Sequence, residues 1–121
     1  MTNLQTGIDM LEVERLQKAI ERHGERFLQR VFTEQELEQL REDIPSLAAR
    51  WAAKEAVAKA LRTGIGDVSW QEIEILRGPS REPELHLYGA AQEKAEQLGL
   101  TQWSISISHT LEYAVAIAVA I

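Results

Sequence analysis

The stretch Leu47–Gly66, LAARWAAKEAVAKALRTGIG, restricts the possible folds most, because a strong helix pattern carries an unusual distribution of charge. At about 100° per residue, Ala52, Ala53, Ala56, Val57 and Ala60 fall on one arc, Glu55, Lys59 and Arg62 on a second, and Arg50 and Lys54 flank the first arc on its other side. Alanine favours helix and lets another backbone approach closely. Gly64 stands where a left-handed residue would close the helix. A long central helix, buried along its alanine arc, is the expectation.

Glu55 has two readings. As the first member of an i,i+4 pair with Lys59 it would contribute only about 0.2–0.5 kcal/mol on a solvated face. The other reading comes from the surplus of positive charge. Arg50, Lys54, Lys59 and Arg62 against one glutamate give the segment a net charge of +3, in a chain of net charge −6. Arg50 and Lys54, four residues apart, repel unless an anion lies between or above them. Cations around a single acid suit a site for phosphate and a metal ion.

A length of 121 residues suits one domain, residues 1–121, with a core small enough that self-association would help it. With 45% hydrophobic and 26% charged residues the composition is globular. Cysteine is absent, which excludes disulfides and thiolate metal sites. No signal-peptide pattern or long apolar run is present, so a cytoplasmic location without membrane association is expected. The acidic balance argues against a nucleic-acid partner, which calls for a basic surface.

Leu4–Met10 reads as a short strand, with Leu4, Thr6 and Ile8 alternating with Gln5, Gly7 and Asp9. Asp9, near its end, is either a turn former or cap for the next helix, or the second carboxylate of a site. Glu12–Arg30 has helical spacing interrupted at Gly24, and carries Arg15, Lys18, Arg22, Arg26 and Arg30 at intervals of three and four. Residues 15–30 are +3. This stripe is either a solvated face or a docking surface for an acidic partner. Thr33-Glu34-Gln35-Glu36 is a capping box opening a short helix to about Arg41, and Pro45 and Ser46 introduce the central helix.

Trp70–Leu76 and Glu84–Tyr88 read as a hairpin around the turn cluster Arg77-Gly78-Pro79-Ser80, and Gly89–Gly99 as a helix stopped by Gly99. Two further strands, Thr101–Ser108 and Tyr113–Ile121, flank His109–Glu112. In the last one, Val115, Ile117, Val119 and Ile121 alternate with Ala114, Ala116, Ala118 and Ala120. Both faces therefore call for cover, the small one by the central helix and the large one by another subunit. His109 is either a hydrogen-bonded turn residue or a phosphate ligand.

Several of these stretches together, in order, resemble a known family: GID at 7–9 with EVERL at 12–16, FTEQEL at 32–37, RWAAKEAVAKAL at 50–61, TGIG at 63–66 and SISHT at 106–110. They are similar to the holo-acyl-carrier-protein synthases, a compact group of 4′-phosphopantetheinyl transferases. The resemblance spans nearly the full chain and departs at Arg62, where many members have glycine. It implies transfer of the phosphopantetheine arm of coenzyme A to a serine hydroxyl on an acyl carrier protein, release of adenosine 3′,5′-bisphosphate, and a requirement for Mg²⁺. By the same resemblance Asp9 and Glu55 are the metal-binding carboxylates, with Lys59 beside them in the catalytic set. Arg50, Lys59, Gly64 and His109 are its coenzyme A contacts, and Arg15, Arg22 and Arg26 lie in the carrier-docking helix. The family's compact members are homotrimers with active sites shared between neighbouring subunits.

The fold expected is α+β, a long central helix packed on antiparallel strands. A catalytically silent carrier- or nucleotide-binding module would also explain the basic stripe, but has no use for Asp9 and Glu55 converging on a metal. A purely structural trimer subunit leaves both features unexplained.

Overall fold

A computed structural model describes residues 3–121. Strand β1 (Gln5–Glu12) leads into helices α1 (Val13–His23), α2 (Glu25–Val31), α3 (Glu34–Leu40) and α4 (Ile44–Ala60). A 3-10 turn (Trp70–Glu72) then opens the hairpin β2 (Ile73–Arg77) and β3 (Pro83–Leu87), followed by α5 (Gly89–Gln97), β4 (Trp103–His109) and β5 (Tyr113–Ala120). β5 lies between β1 and β4 in an antiparallel three-stranded sheet, while β2 and β3 pair separately. The architecture is α+β, with α4 packed on the three-stranded sheet.

α4 forms where its alanines require it. Asp43 caps the first turn, accepting from the Ser46 amide at 3.2 Å and from its hydroxyl at 2.7 Å, and Pro45 costs nothing there because its missing N–H has no helical partner. Ala52, Ala53, Ala56, Val57 and Ala60 are fully buried. The helix closes earlier than the glycine at position 64 suggests. Leu61 is the C-cap, and Arg62 takes the left-handed conformation with φ 58°, at a position where glycine is normally favoured.

Toward α4 the middle strand β5 presents only methyl side chains. Ala114, Ala116, Ala118 and Ala120 of β5 are buried, and they lie across from Leu11, Asp9, Gly7 and Gln5 of β1. At Gly7 the approach is closest: a methyl group there would overlap the Ala56 carbonyl and come within 2.9 Å of the Ala60 amide nitrogen. Ile8 and Met10 consequently point the other way and are 59% and 69% exposed. They share that outer face with Val115, Ile117 and Val119 of β5, so the large face of the last strand is uncovered within one chain.

Two expected boundaries move. β1 continues through Leu11 and Glu12, paired with Ala114 and Tyr113, which sets Asp9 inside the strand and removes it as a helix cap. The stretch from Trp70 begins as a 3-10 turn because Ser69 and Glu72 form a capping box, the Glu72 carboxylate accepting from the Ser69 amide at 2.8 Å. The hairpin, the Thr33–Glu36 capping box and the helix ahead of Gly99 occur where expected. Among the described residues no helix is long and apolar enough to cross a membrane.

Candidate active site

Lys59 joins Asp9 of β1 to α4. Asp9 projects from the α4-facing side of β1, 22% exposed, and the Lys59 ammonium donates to its Oδ1 at 3.3 Å and to the Ile8 carbonyl at 2.7 Å. Glu55 stands one turn before Lys59 on the same side of α4. The i,i+4 pair of Glu55 with Lys59 is not formed. Lys59 turns to the strand, and Glu55 Oε1 accepts from the Trp70 indole N–H at 3.1 Å.

Lys54 is a correction to the sequence reading, which grouped it with Arg50 beside an anion. It is fully buried, donating to Glu36 at 2.8 Å and to the carbonyls of Trp70 and Ile73 at 2.9 and 2.6 Å. Burial pushes its ammonium below the ordinary lysine range, against the opposing pull of Glu36. Glu36 is itself held by the Thr33 and Ile75 amides, both at 2.8 Å. With all three ammonium donors taken by protein oxygens, Lys54 has no hydrogen to offer a ligand.

Arg50 and His109 meet elsewhere, in a cleft of about 310 Å³ that Arg77 and Arg81 also line. The Arg50 side chain is buried, and its Nε has no partner among the protein groups. Burial first, and then the positive charge of Arg77, lower its pKa, while Glu36 and Asp43 raise it. An unpaired buried donor among three guanidinium groups and an imidazole is the chemistry of an anion site. This cleft does not include Asp9, Glu55 or Lys59. Nine residues separate Arg50 from Lys59, which puts them on opposite sides of α4 with a rise of about 13 Å. Gly64 lies in the exposed loop after α4, its carbonyl accepting from the Asp67 amide at 3.3 Å, and belongs to neither group.

The basic stripe is divided by Gly24, whose φ of 56° turns the chain between α1 and α2. Arg15, Lys18 and Arg22 line an open groove of about 640 Å³ with Met10, Trp51 and Tyr113, and the Arg15 guanidinium lies 5.0 Å from the Trp51 ring. Arg26, beyond the turn, does not line it. Arg30 sits over the Trp70 ring at 6.0 Å.

A family profile described as the 4′-phosphopantetheinyl transferase superfamily matches residues 5–118. The chain belongs to that superfamily. It is 46% identical over 123 residues to a holo-acyl-carrier-protein synthase of Herpetosiphon aurantiacus, covering 96% of this chain and 97% of that protein. A protein of the same name from Dehalococcoides mccartyi is 50% identical over 117 residues, with 97% and 98% covered. The crystal structure of the Helicobacter pylori holo-acyl-carrier-protein synthase in complex with coenzyme A superposes with a TM-score of 0.87 at 32% identity, covering 96% of this chain and 99% of that one.

In this superfamily member the residues that sequence reasoning passed over are Trp70, Glu36, Arg77 and Arg81. A strand pattern covers the first, a cap accounts locally for the second, and Arg77 belongs to the turn cluster. The available signal for the two arginines was a pair of cations within five residues of an acidic chain, at the tip of a hairpin. Nothing local marks Trp70 or the second role of Glu36, whose partners lie 15 and 18 residues away or more.

Proposed function

We propose that this chain transfers the 4′-phosphopantetheine arm of coenzyme A to a serine hydroxyl of an acyl carrier protein and releases adenosine 3′,5′-bisphosphate. The observation that carries the reading is the bond from Lys59 of α4 to Asp9 of β1, with Glu55 one turn earlier on α4, in a member of the transferase superfamily. Near full-length likeness to proteins named holo-acyl-carrier-protein synthase supports it. We read residues 1–121 as a single transferase domain, in keeping with a family match from 5 to 118.

Among the described residues no group of three or more His, Cys, Asp or Glu could hold a metal ion. A pair of hard carboxylate oxygens fits Mg²⁺, which is commonly held by one or two carboxylates completed by substrate phosphates and water. Asp9 and Glu55 would hold the ion, and its chemistry there is to offset negative charge on the pyrophosphate during transfer. The serine oxygen forms a bond to the phosphorus bearing the pantetheine arm. The bond from that phosphorus to the bridging oxygen breaks, that oxygen and its electron pair leave with the nucleotide as the bisphosphate, and the serine proton passes to solvent. Lys59, already beside Asp9, supplies positive charge at the same place, so the protein contributes positioning and electrostatics and no nucleophile of its own. Arg50 and His109, with Arg77 and Arg81, take the charge of the nucleotide end. Arg15 and Arg22 receive the acidic carrier.

We infer that the working unit is a homotrimer. Ile8, Met10 and Ile117 are exposed on one sheet face, and the anion cleft lies across α4 from Asp9 and Lys59. A neighbouring chain that covers the first and lends its cleft to the second completes the site. A cytoplasmic setting is consistent with a chain that has no cysteine and, among the described residues, no membrane-crossing helix.

Incubation with apo carrier, coenzyme A and Mg²⁺, followed by mass spectrometry of the carrier, tests the activity. The carrier should gain one phosphopantetheine arm. Retained coenzyme A binding without any mass gain would instead identify a silent binding module.

A further inference from the structure

Two consecutive residues of α4 grip the two ends of Trp70. Lys54 donates to its backbone carbonyl at 2.9 Å, and Glu55 Oε1 accepts from its indole N–H at 3.1 Å. The ring is held on other sides as well. Trp51 meets it edge to face, with centroids 6.3 Å apart and planes at 75°, and the Arg30 guanidinium lies 6.0 Å from its centroid. Gln71, the next residue, donates to the carbonyls of Gln29 and Phe32, which ties the 3-10 turn to α2. Trp70 thus has a fixed place before it meets Glu55.

We propose that Trp70 is a positioning residue for Glu55: its indole N–H holds Oε1 and leaves Oε2 to face the metal site. The proposal rests on the reading of Glu55 as a metal-binding carboxylate. A glutamate side chain has three rotatable bonds, and one fixed oxygen removes most of the freedom that ion binding would otherwise have to freeze. The bond also joins a neutral donor to an ionised acceptor, which makes it stronger than a neutral pair. Lys54 and Glu36 enter through the backbone, because they fix the carbonyl from which the indole extends. Partners that orient metal ligands in this way typically affect affinity by about 10- to 100-fold.

The test is a Mn²⁺ titration followed by electron paramagnetic resonance, on the full chain with coenzyme A present. Three forms are compared with wild type: Trp70→Phe, Glu55→Gln, and a protein carrying 3-benzothienylalanine at position 70. The last keeps the bicyclic ring and puts sulfur in place of the N–H, so packing is preserved if Trp70→Phe fails to fold. The expected result is Mn²⁺ binding about 10-fold weaker with the benzothienyl residue. The thermal midpoint and the Michaelis constant for coenzyme A at saturating Mg²⁺ should stay at the wild-type values, which a packing defect would not allow. Wild-type Mn²⁺ affinity in the benzothienyl protein, with binding lost in Glu55→Gln, overturns the role of Trp70 and leaves the metal reading standing. Wild-type affinity in Glu55→Gln overturns the metal reading and the proposal with it.

Discussion

Lys54 and Glu36 form a salt bridge of 2.8 Å in which both side chains are completely buried. Burying either charge alone is unfavourable by several kcal/mol, roughly, and the pair persists because backbone amides and carbonyls satisfy what the two leave over. Lys54→Met, which strands the carboxylate, is expected to cost about 3–5 kcal/mol. The double change Lys54→Met with Glu36→Gln should recover part of that loss. Urea unfolding of the two variants measures both, and equal destabilisation would mean that the charge pairing contributes nothing.

Lys59 is the contrasting lysine, 54% exposed and aimed at Asp9. Lys59→Ala should leave stability nearly unchanged and raise the Michaelis constant for coenzyme A about 10-fold or more, the scale of one lost charge-assisted hydrogen bond. The constant for the carrier should change little. Steady-state titration of each substrate separates the two, and a larger effect on the carrier would remove Lys59 from the phosphate site.

The turn at Gly24 divides the arginines into unequal sets. Arg22→Glu, within the groove, should raise the Michaelis constant for the carrier strongly and leave that for coenzyme A unchanged, with the wild-type carrier dependence weakening as salt is added. Arg26→Glu should have the smaller effect, since Arg26 does not line the groove. Identical behaviour of the two variants would argue against this groove as the docking surface.

On the outer sheet face, Ile117→Asp should convert the proposed trimer to single chains, seen by light scattering, while far-ultraviolet circular dichroism stays that of the wild type. Transfer activity should fall with the mass. A fully active single chain would exclude a site shared between subunits.

Acid should weaken the fold through two capping carboxylates. The Ser46 hydroxyl, first among its partners, holds Asp43 below its ordinary value of 3.8, and the Ser69 amide holds Glu72 below 4.5. Because both pKa values are depressed in the folded chain, their stabilisation is complete above the ordinary values and is lost as pH falls through the lower folded ones. Asp43→Asn, which can still cap, should therefore flatten the dependence of the urea midpoint on pH below about 4. An unchanged slope would show that Asp43 plays no part in it.

What the sequence reveals and what it conceals divide by distance along the chain. The alanine arc, the Thr33–Glu36 box, the break at Gly24 and the hairpin depend on residues a few positions apart, and each occurs in the structure. Glu55 draws attention as a candidate because a carboxylate among alanines is anomalous, whereas Asp9, at the end of a strand pattern, stands out only through the family resemblance. The inward face of β1 is not legible, since that face carries Gln5, Gly7 and Asp9 while Ile8 points outward. Only the presence of α4 decides that choice. Lys54 misled for a related reason: its partner Glu36 looks locally complete as a cap, and nothing in the intervening 17 residues announces a second bond.

The contact of Gly7 with Ala56 has a genetic consequence. Asp9 belongs to β1 and Glu55 to α4, so the distance between the carboxylates is set where the two backbones touch. A mutant screen scored by transfer would place Gly7 among the most sensitive positions, next to the acids themselves. Yet Gly7 offers no side-chain atom to a substrate or an ion. Its lesion would be one of spacing, and a compensating change would be sought at no ligand: the atoms met are backbone, so a second-site suppressor would have to move the helix bodily away from the strand.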